Sequence, residues 1–201
     1  MHLIVGLGNP GSQYAMNRHN IGFMAIDLAV DYWLKNLGRD VSQNSFKSEH
    51  KALVRKIKVK SGLIEKEILI AKPQTYMNKS GESLVSLINF YKIERPKLLV
   101  IQDDIDQNFG SMKIQFNRGH GGQNGIKNIS ELFGAADYHR LKLGVGRPTH
   151  AEHNIGDYVL GNFPNAELDL LKNILIKAHL AIESFIFDGP ERAASKYNGQ
   201  L

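Results

Sequence analysis

His2-Leu3-Ile4-Val5-Gly6-Leu7-Gly8-Asn9-Pro10-Gly11 is the stretch that decides the fold. The apolar run from His2 to Leu7 reads as a short buried strand, and the turn at Gly8-Asn9-Pro10-Gly11 stops it. From Asn20 to Leu37, Ile21, Met24, Ala25, Leu28 and Tyr32 recur at steps of three and four, the period of an amphipathic helix, with Gly38 as its stop. A strand followed by a helix is the repeating unit of an α/β domain.

The rest of the chain continues the alternation. Lys51 to Val59 and Glu67 to Ala71 flank Ser61-Gly62 as a hairpin, decorated by Lys51, Arg55, Lys56, Lys58, Lys60 and Lys66. These cations could meet nucleic acid; lysine on an exposed edge also discourages sheet-to-sheet pairing, and that reading is preferred. Ser80 to Tyr91 fits a second helix, and Pro96 clears the chain for a strand from Lys97 to Gln102. Further strands are expected at Ser111 to Phe116 and His139 to Val145, with a helix from Asn124 to Phe133 between them. Asn162-Phe163-Pro164 opens the last long helix, which Gly189-Pro190 ends. The pattern predicts one α/β domain over residues 1–201, with a mixed, mostly parallel twisted sheet covered by helices on both faces.

Composition narrows the function classes. A chain of 201 residues, 42% hydrophobic and 22% charged, has ordinary globular usage, and disorder or a fibrous repeat is excluded. There is no cysteine, so disulfides, thiolate metal sites and a cysteine nucleophile are ruled out together, which fits a reducing cytoplasm. No signal peptide or membrane span is expected. The net charge of +5 favours a polyanionic partner without identifying it. A two-sided sheet can bury its own helices, which points to a monomer.

Ligands of such sheets sit beyond the carboxyl ends of strands, where four polar loops fall. One holds Asn9, Tyr14, Arg18, His19 and Asn20; the second is Pro73-Gln74-Thr75-Tyr76-Met77-Asn78; the third is Asp103-Asp104-Ile105-Asp106; the fourth combines glycines with His120 and Asn124. Gly6, Gly8 and Gly11 match a dinucleotide fingerprint, but Ser12 to Arg18 is polar where the helix should open, and Asp27 and Asp31 fall inside a helix. The three aspartates could hold a metal, with His19 or His120 as a further ligand. No Gly-x-Ser-x-Gly elbow exists, so an activated water is preferred to an acyl-enzyme. Histidine suits the task of base, and an aspartate can fix its tautomer, which makes His19 and Asp103 the pair to test.

Taken together, Val5-Gly6-Leu7-Gly8-Asn9-Pro10-Gly11, Arg18-His19-Asn20-Ile21-Gly22, Pro73-Gln74-Thr75-Tyr76-Met77-Asn78-Lys79-Ser80-Gly81, Asp103-Asp104-Ile105-Asp106, Gly119-His120-Gly121-Gly122-Gln123-Asn124-Gly125 and the run from His139 to Pro148 resemble the bacterial peptidyl-tRNA hydrolases. The resemblance implies hydrolysis of the ester between a peptide and the 3′-terminal ribose of tRNA, with no cofactor and no metal. It implies that His19 is the base, that Asp103 holds it, and that Asn9 recognises the peptide. It also implies that Tyr14, Tyr76, Asn78 and Asn124 contact the aminoacylated end. Lys113, Arg118, Lys142 and Arg147 are the expected phosphate-binding set. The sequence departs from the family pattern at Gln123, where histidine is common, and at Lys142, where arginine often stands. The alternatives that remain are a non-catalytic RNA-binding module and a dinucleotide-dependent oxidoreductase.

Overall fold

The structure, a computed structural model, describes residues 1–38, 45–148 and 154–200. Its strands are β1 (His2–Gly6), β2 (Lys47–Glu49), β3 (Ala52–Ser61), β4 (Ile64–Pro73), β5 (Leu98–Asp104), β6 (Ser111–Phe116), β7 (His139–Gly144) and β8 (Gly199–Gln200). Its helices are α1 (Ile21–Asn36), α2 (Ser80–Tyr91), α3 (Asn124–Phe133), α4 (Ile155–Leu160), α5 (Leu168–Phe187) and α6 (Pro190–Tyr197).

All eight strands join one mixed sheet in the order β2-β3-β4-β1-β5-β7-β6-β8. The expected parallel sheet is its centre, where β1 pairs with β4 and β5, and β5 with β7. The flanks correct the expectation of a mostly parallel sheet, because the four remaining pairings are antiparallel. Loop length explains this: β3 turns into β4 through two residues, with Gly62 at φ 57°, and residues 105–110 are too few for a helical crossover from β5 to β6.

Helices cover both faces, as expected. Ile21, Ala25 and Trp33 of α1 and Ile174, Ala178 and Ile182 of α5 pack in one core, with Ile4, Ile101 and Leu141 of the sheet beneath them. Leu84 and Leu87 of α2 and Ile126 and Ile129 of α3 pack in the other, against Leu3, Val5 and Val100. The first helix sits close on β1 because both contact positions are glycine. A Cβ on Gly6 would lie 2.2 Å from the Gly22 carbonyl oxygen, and one on Gly22 would lie 2.5 Å from that of Ile101. That contact delivers the loop between β1 and α1 to the carboxyl edge of the sheet.

Two smaller differences have local causes. Pro164 precedes a 3-10 turn over Asn165–Glu167, and the long helix proper opens at Leu168. Pro190 starts α6 rather than only closing α5, since a proline lacking its N–H is well suited to the first turn of a helix. The hairpin cations mostly find local partners: Lys58 and Lys60 pair with Glu65, Lys51 pairs with Glu82, and Lys66 donates to the Ile186 carbonyl.

Candidate active site

The chain leaves β1 through two 3-10 turns, Ser12–Tyr14 and Arg18–Asn20, before α1 begins. Gly11 therefore introduces a 3-10 turn and not a helix, so the phosphate-binding geometry of a dinucleotide fold is missing. The second turn presents His19 directly beside the end of β5, where Asp103 is 3% exposed. His19 Nδ1 and Asp103 Oδ2 are 2.9 Å apart. The imidazole is almost covered, its side chain 12% exposed. Burial alone would lower its pKa, but the charge of Asp103 and the hydrogen bond to it prevail and raise it above the usual 6.5.

Neighbouring asparagines hold the turn. Asn20 Oδ1 accepts from the Asn9 N–H at 2.8 Å, and Asn20 Nδ2 donates to the Asn9 carbonyl at 2.9 Å. Asn9 Oδ1 in turn accepts from the Met77 N–H at 2.9 Å. That backbone donor fixes which end of the Asn9 amide is oxygen, and among the described residues Nδ2 has no partner. Arg18, although beside His19, serves the scaffold: its guanidinium donates to the Asn162 carbonyl at 2.7 Å and to Glu167 at 2.8 Å, and lies 4.4 Å from the Tyr158 ring centre.

A cleft of about 260 Å³ opens at the dyad, lined by His19, Asp103, Gln123 and Asn124, with Ile155 and Val159 of α4 opposite. Asn9 lines a neighbouring cleft of similar volume with Phe23 and Lys72. Thus His19, Asp103 and Asn124 are brought together, and Asn9 reaches them through the Met77 segment. Tyr14 is half-buried, Tyr76 and Asn78 are exposed, and none of the three lines either cleft.

The expected phosphate set divides in two. Lys142 Nζ lies 2.5 Å from Asp104 Oδ2, and Arg147 pairs with Asp106, so both carry local counter-charges. Lys113 and Arg118 are exposed and have no partner among the described residues. Lys113 lies opposite Lys142 across the β6–β7 pairing, so the two share a sheet face. The aspartate loop is equally divided, with Asp103 on His19, Asp104 on Lys142 and Asp106 on Arg147. No group of three or more His, Cys, Asp or Glu side chains placed to hold a metal occurs among the described residues.

Sequence reasoning assigned no role to Asn20, Met77 or Gln123, and placed Arg18 only in the loop. All four lie in the blocks that carry the resemblance, Gln123 at a departure from the family pattern, but their contacts are visible only in the folded chain.

Several known proteins are similar to this chain. A protein named peptidyl-tRNA hydrolase from Bdellovibrio bacteriovorus is 50% identical over 198 residues, covering 98% of this chain and 100% of that one. Another of that name from Desulforamulus reducens is 42% identical, covering 98% of this chain and 89% of that one. The crystal structure of peptidyl-tRNA hydrolase from Acinetobacter baumannii superposes with a TM-score of 0.85 at 29% identity, over 100% of this chain and 95% of that one. Residues 3–201 match the family model described as peptidyl-tRNA hydrolase, and with the dyad at the carboxyl edge of the sheet the chain belongs to that family.

Proposed function

We propose that this chain hydrolyses the ester joining a peptide, or an N-blocked amino acid, to the 3′-terminal ribose of tRNA. The observation that carries the reading is the contact of 2.9 Å between His19 Nδ1 and Asp103 Oδ2. With Nδ1–H donated to the carboxylate, Nε2 is the free acceptor and takes a proton from water. The hydroxide equivalent attacks the acyl carbon, and the tetrahedral intermediate collapses by breaking the bond between that carbon and the ribose 3′ oxygen. The departing oxygen receives the proton from the imidazolium, whose charge Asp103 offsets. The alkoxide expelled from an ester is a far weaker base than the nitrogen anion that an amide would have to expel, so one base and one water suffice.

Asn124 faces the same cleft and can donate to the developing oxyanion without adding charge. Asn9 Nδ2 is free to donate to a peptide carbonyl. A free aminoacyl ester, with an ammonium in place of the amide, would leave such groups unpaired, which is how the site rejects it. Tyr14, Tyr76 and Asn78 contact the acceptor end, and Lys113 and Arg118, the two members of the expected cation set without a counter-charge among the described residues, neutralise phosphates of the tRNA body. The chain works as a monomeric single domain, as the burial of both cores within one sheet supports, and in the cytoplasm, where its substrate is made.

The test is release of the N-acetyl-amino acid from N-acetyl-aminoacyl-tRNA, with and without chelator. Wild-type turnover insensitive to chelator, lost in His19→Ala, is expected. Equal turnover by His19→Ala would remove the basis of the reading.

A further inference from the structure

Asp103 offers two carboxylate oxygens, and His19 uses one. The other, Oδ1, accepts from Gln123 Nε2 at 3.0 Å. Gln123 is 7% exposed, and its own carbonyl Oε1 accepts from the Ile126 N–H at 2.8 Å, capping α3. Because the cap demands an acceptor, the amide cannot be reversed, and an N–H must face Asp103. The same Nε2 lies 3.1 Å from Met77 Sδ, and the Met77 N–H meets Asn9.

We propose that Gln123 is a positioning residue for this reaction, holding the Asp103 carboxylate in the orientation that meets His19 and linking the base, through Met77, to Asn9. The proposal rests on His19 being the base. An amide neither gains nor loses a proton in the working range of an enzyme, so this donor is present at every pH, whereas an imidazole in its place would acquire charge on acidification. Without the donor, Oδ1 is left buried and unpaired, the carboxylate can turn, and it attracts the imidazolium proton more strongly. The other titratable groups around the pair cannot substitute. Asp104 is held by Lys142 and Gln107, and the residues of α4 that face the cleft are Ile155, Gly156 and Val159.

Gln123→Ser separates the two jobs of the side chain, because serine is a good helix N-cap and is too short to reach Asp103. Thermal midpoint, kcat and KM on N-acetyl-aminoacyl-tRNA, and the titration of His19 by ¹⁵N-histidine NMR are measured for wild type, Gln123→Ser and Gln123→His. In Gln123→Ser we expect a midpoint within a few degrees of wild type and kcat at pH 7 lower by about tenfold or more, as for loss of a hydrogen bond to a charged group. KM should stay within about threefold, and the His19 titration should move up by roughly half to one pH unit. Gln123→His, which restores a ring N–H, should recover most of kcat above pH 7. Wild-type kcat and His19 titration in Gln123→Ser would overturn the proposal, as would a loss confined to KM or a failure of Gln123→His to recover. The NMR titration needs no substrate, so a failure of the functional reading, seen as an inactive wild type, is distinguishable from a failure here.

Discussion

Asp103→Asn is the most discriminating perturbation of the dyad. Two donors converge on this side chain, His19 Nδ1–H at 2.9 Å and Gln123 Nε2–H at 3.0 Å. A carboxylate accepts both, whereas an asparagine has one accepting oxygen, so one donor must face another donor. Charge is lost as well. At about 4 Å between charge centres and an effective dielectric constant near 20, the imidazolium and carboxylate attract by about 4 kcal/mol before desolvation. Breaking one partner out of a buried pair costs about 3–5 kcal/mol. If about 3–4 kcal/mol of this is needed only when the imidazolium forms, kcat falls roughly a hundred- to thousandfold. The pH dependence has a definite sign. In the wild type Asp103 outweighs burial and holds the His19 pKa above 6.5, so activity rises with pH through that raised value. In the variant burial remains and the carboxylate charge is gone, so the rising limb moves below its wild-type position. Linkage gives a second readout: a histidine whose pKa is raised on folding adds stability that is complete below its unfolded pKa of about 6.5 and disappears as pH rises through the folded value. The thermal midpoint of Asp103→Asn should therefore trail wild type more at pH 5.5 than at pH 8.5. The assay is hydrolysis of N-acetyl-aminoacyl-tRNA from pH 5.5 to 9, with thermal unfolding at both ends. A kcat within tenfold of wild type, or a limb that moves upward, would refute the reasoning.

Four further outcomes are expected. Gly6→Ala drives a Cβ to 2.2 Å from the Gly22 carbonyl oxygen, forcing α1 off β1 at a cost of about 3 kcal/mol, which lowers the thermal midpoint by roughly 6–12 °C; an unchanged midpoint in calorimetry would show that the contact can relax. Arg18→Met removes the ties to Asn162 and Glu167 that set α4 opposite His19, and KM should rise by more than kcat falls; steady-state kinetics with the opposite split would count against a purely supporting role. Replacing Lys113 and Arg118 together by glutamine should reduce the slope of log K against log salt for tRNA binding by about 1.4 to 1.8, while Lys142→Met should chiefly destabilise the fold by stranding buried Asp104; an unaltered slope in filter binding would remove both cations from the interface.

The centre of the fold was legible because its signals are local. A buried strand and an amphipathic helix each carry a period within a few residues, and β1, α1, α2, β6 and α3 begin and end within a residue or two of where the pattern places them. On one flank the hairpin of β3 and β4 was legible too, as two runs around Ser61-Gly62, whereas the pairing on the other flank was not. Whether a strand pairs parallel or antiparallel depends on which neighbour it finds, and β7 comes to lie between β5 and β6 although it follows both in sequence. The short strands β2 and β8, of three and two residues, contain too little pattern to register any period.

The site divides along the same line. His19 and Asp103 could be paired because histidine suits the task of base and the ordered blocks single out Asp103 among the three aspartates of its loop, and folding sets the two 2.9 Å apart. Lys142 looked like a phosphate ligand because a sequence displays its charge and hides its counter-charge; folding places Asp104 on it, and of the expected set Lys113 and Arg118 are the two without a local partner among the described residues. Gln123 shows the opposite error. From the sequence it stands out solely as a departure from the family pattern, where histidine is common; in the fold its Oε1 caps α3. Its other end reaches the second oxygen of Asp103, a partner 20 residues away in sequence, and that contact exists only because the N-terminus of α3 is packed against the end of β5. The charge of the dyad is therefore written in the sequence, while its orientation is supplied by the packing of a helix on a sheet.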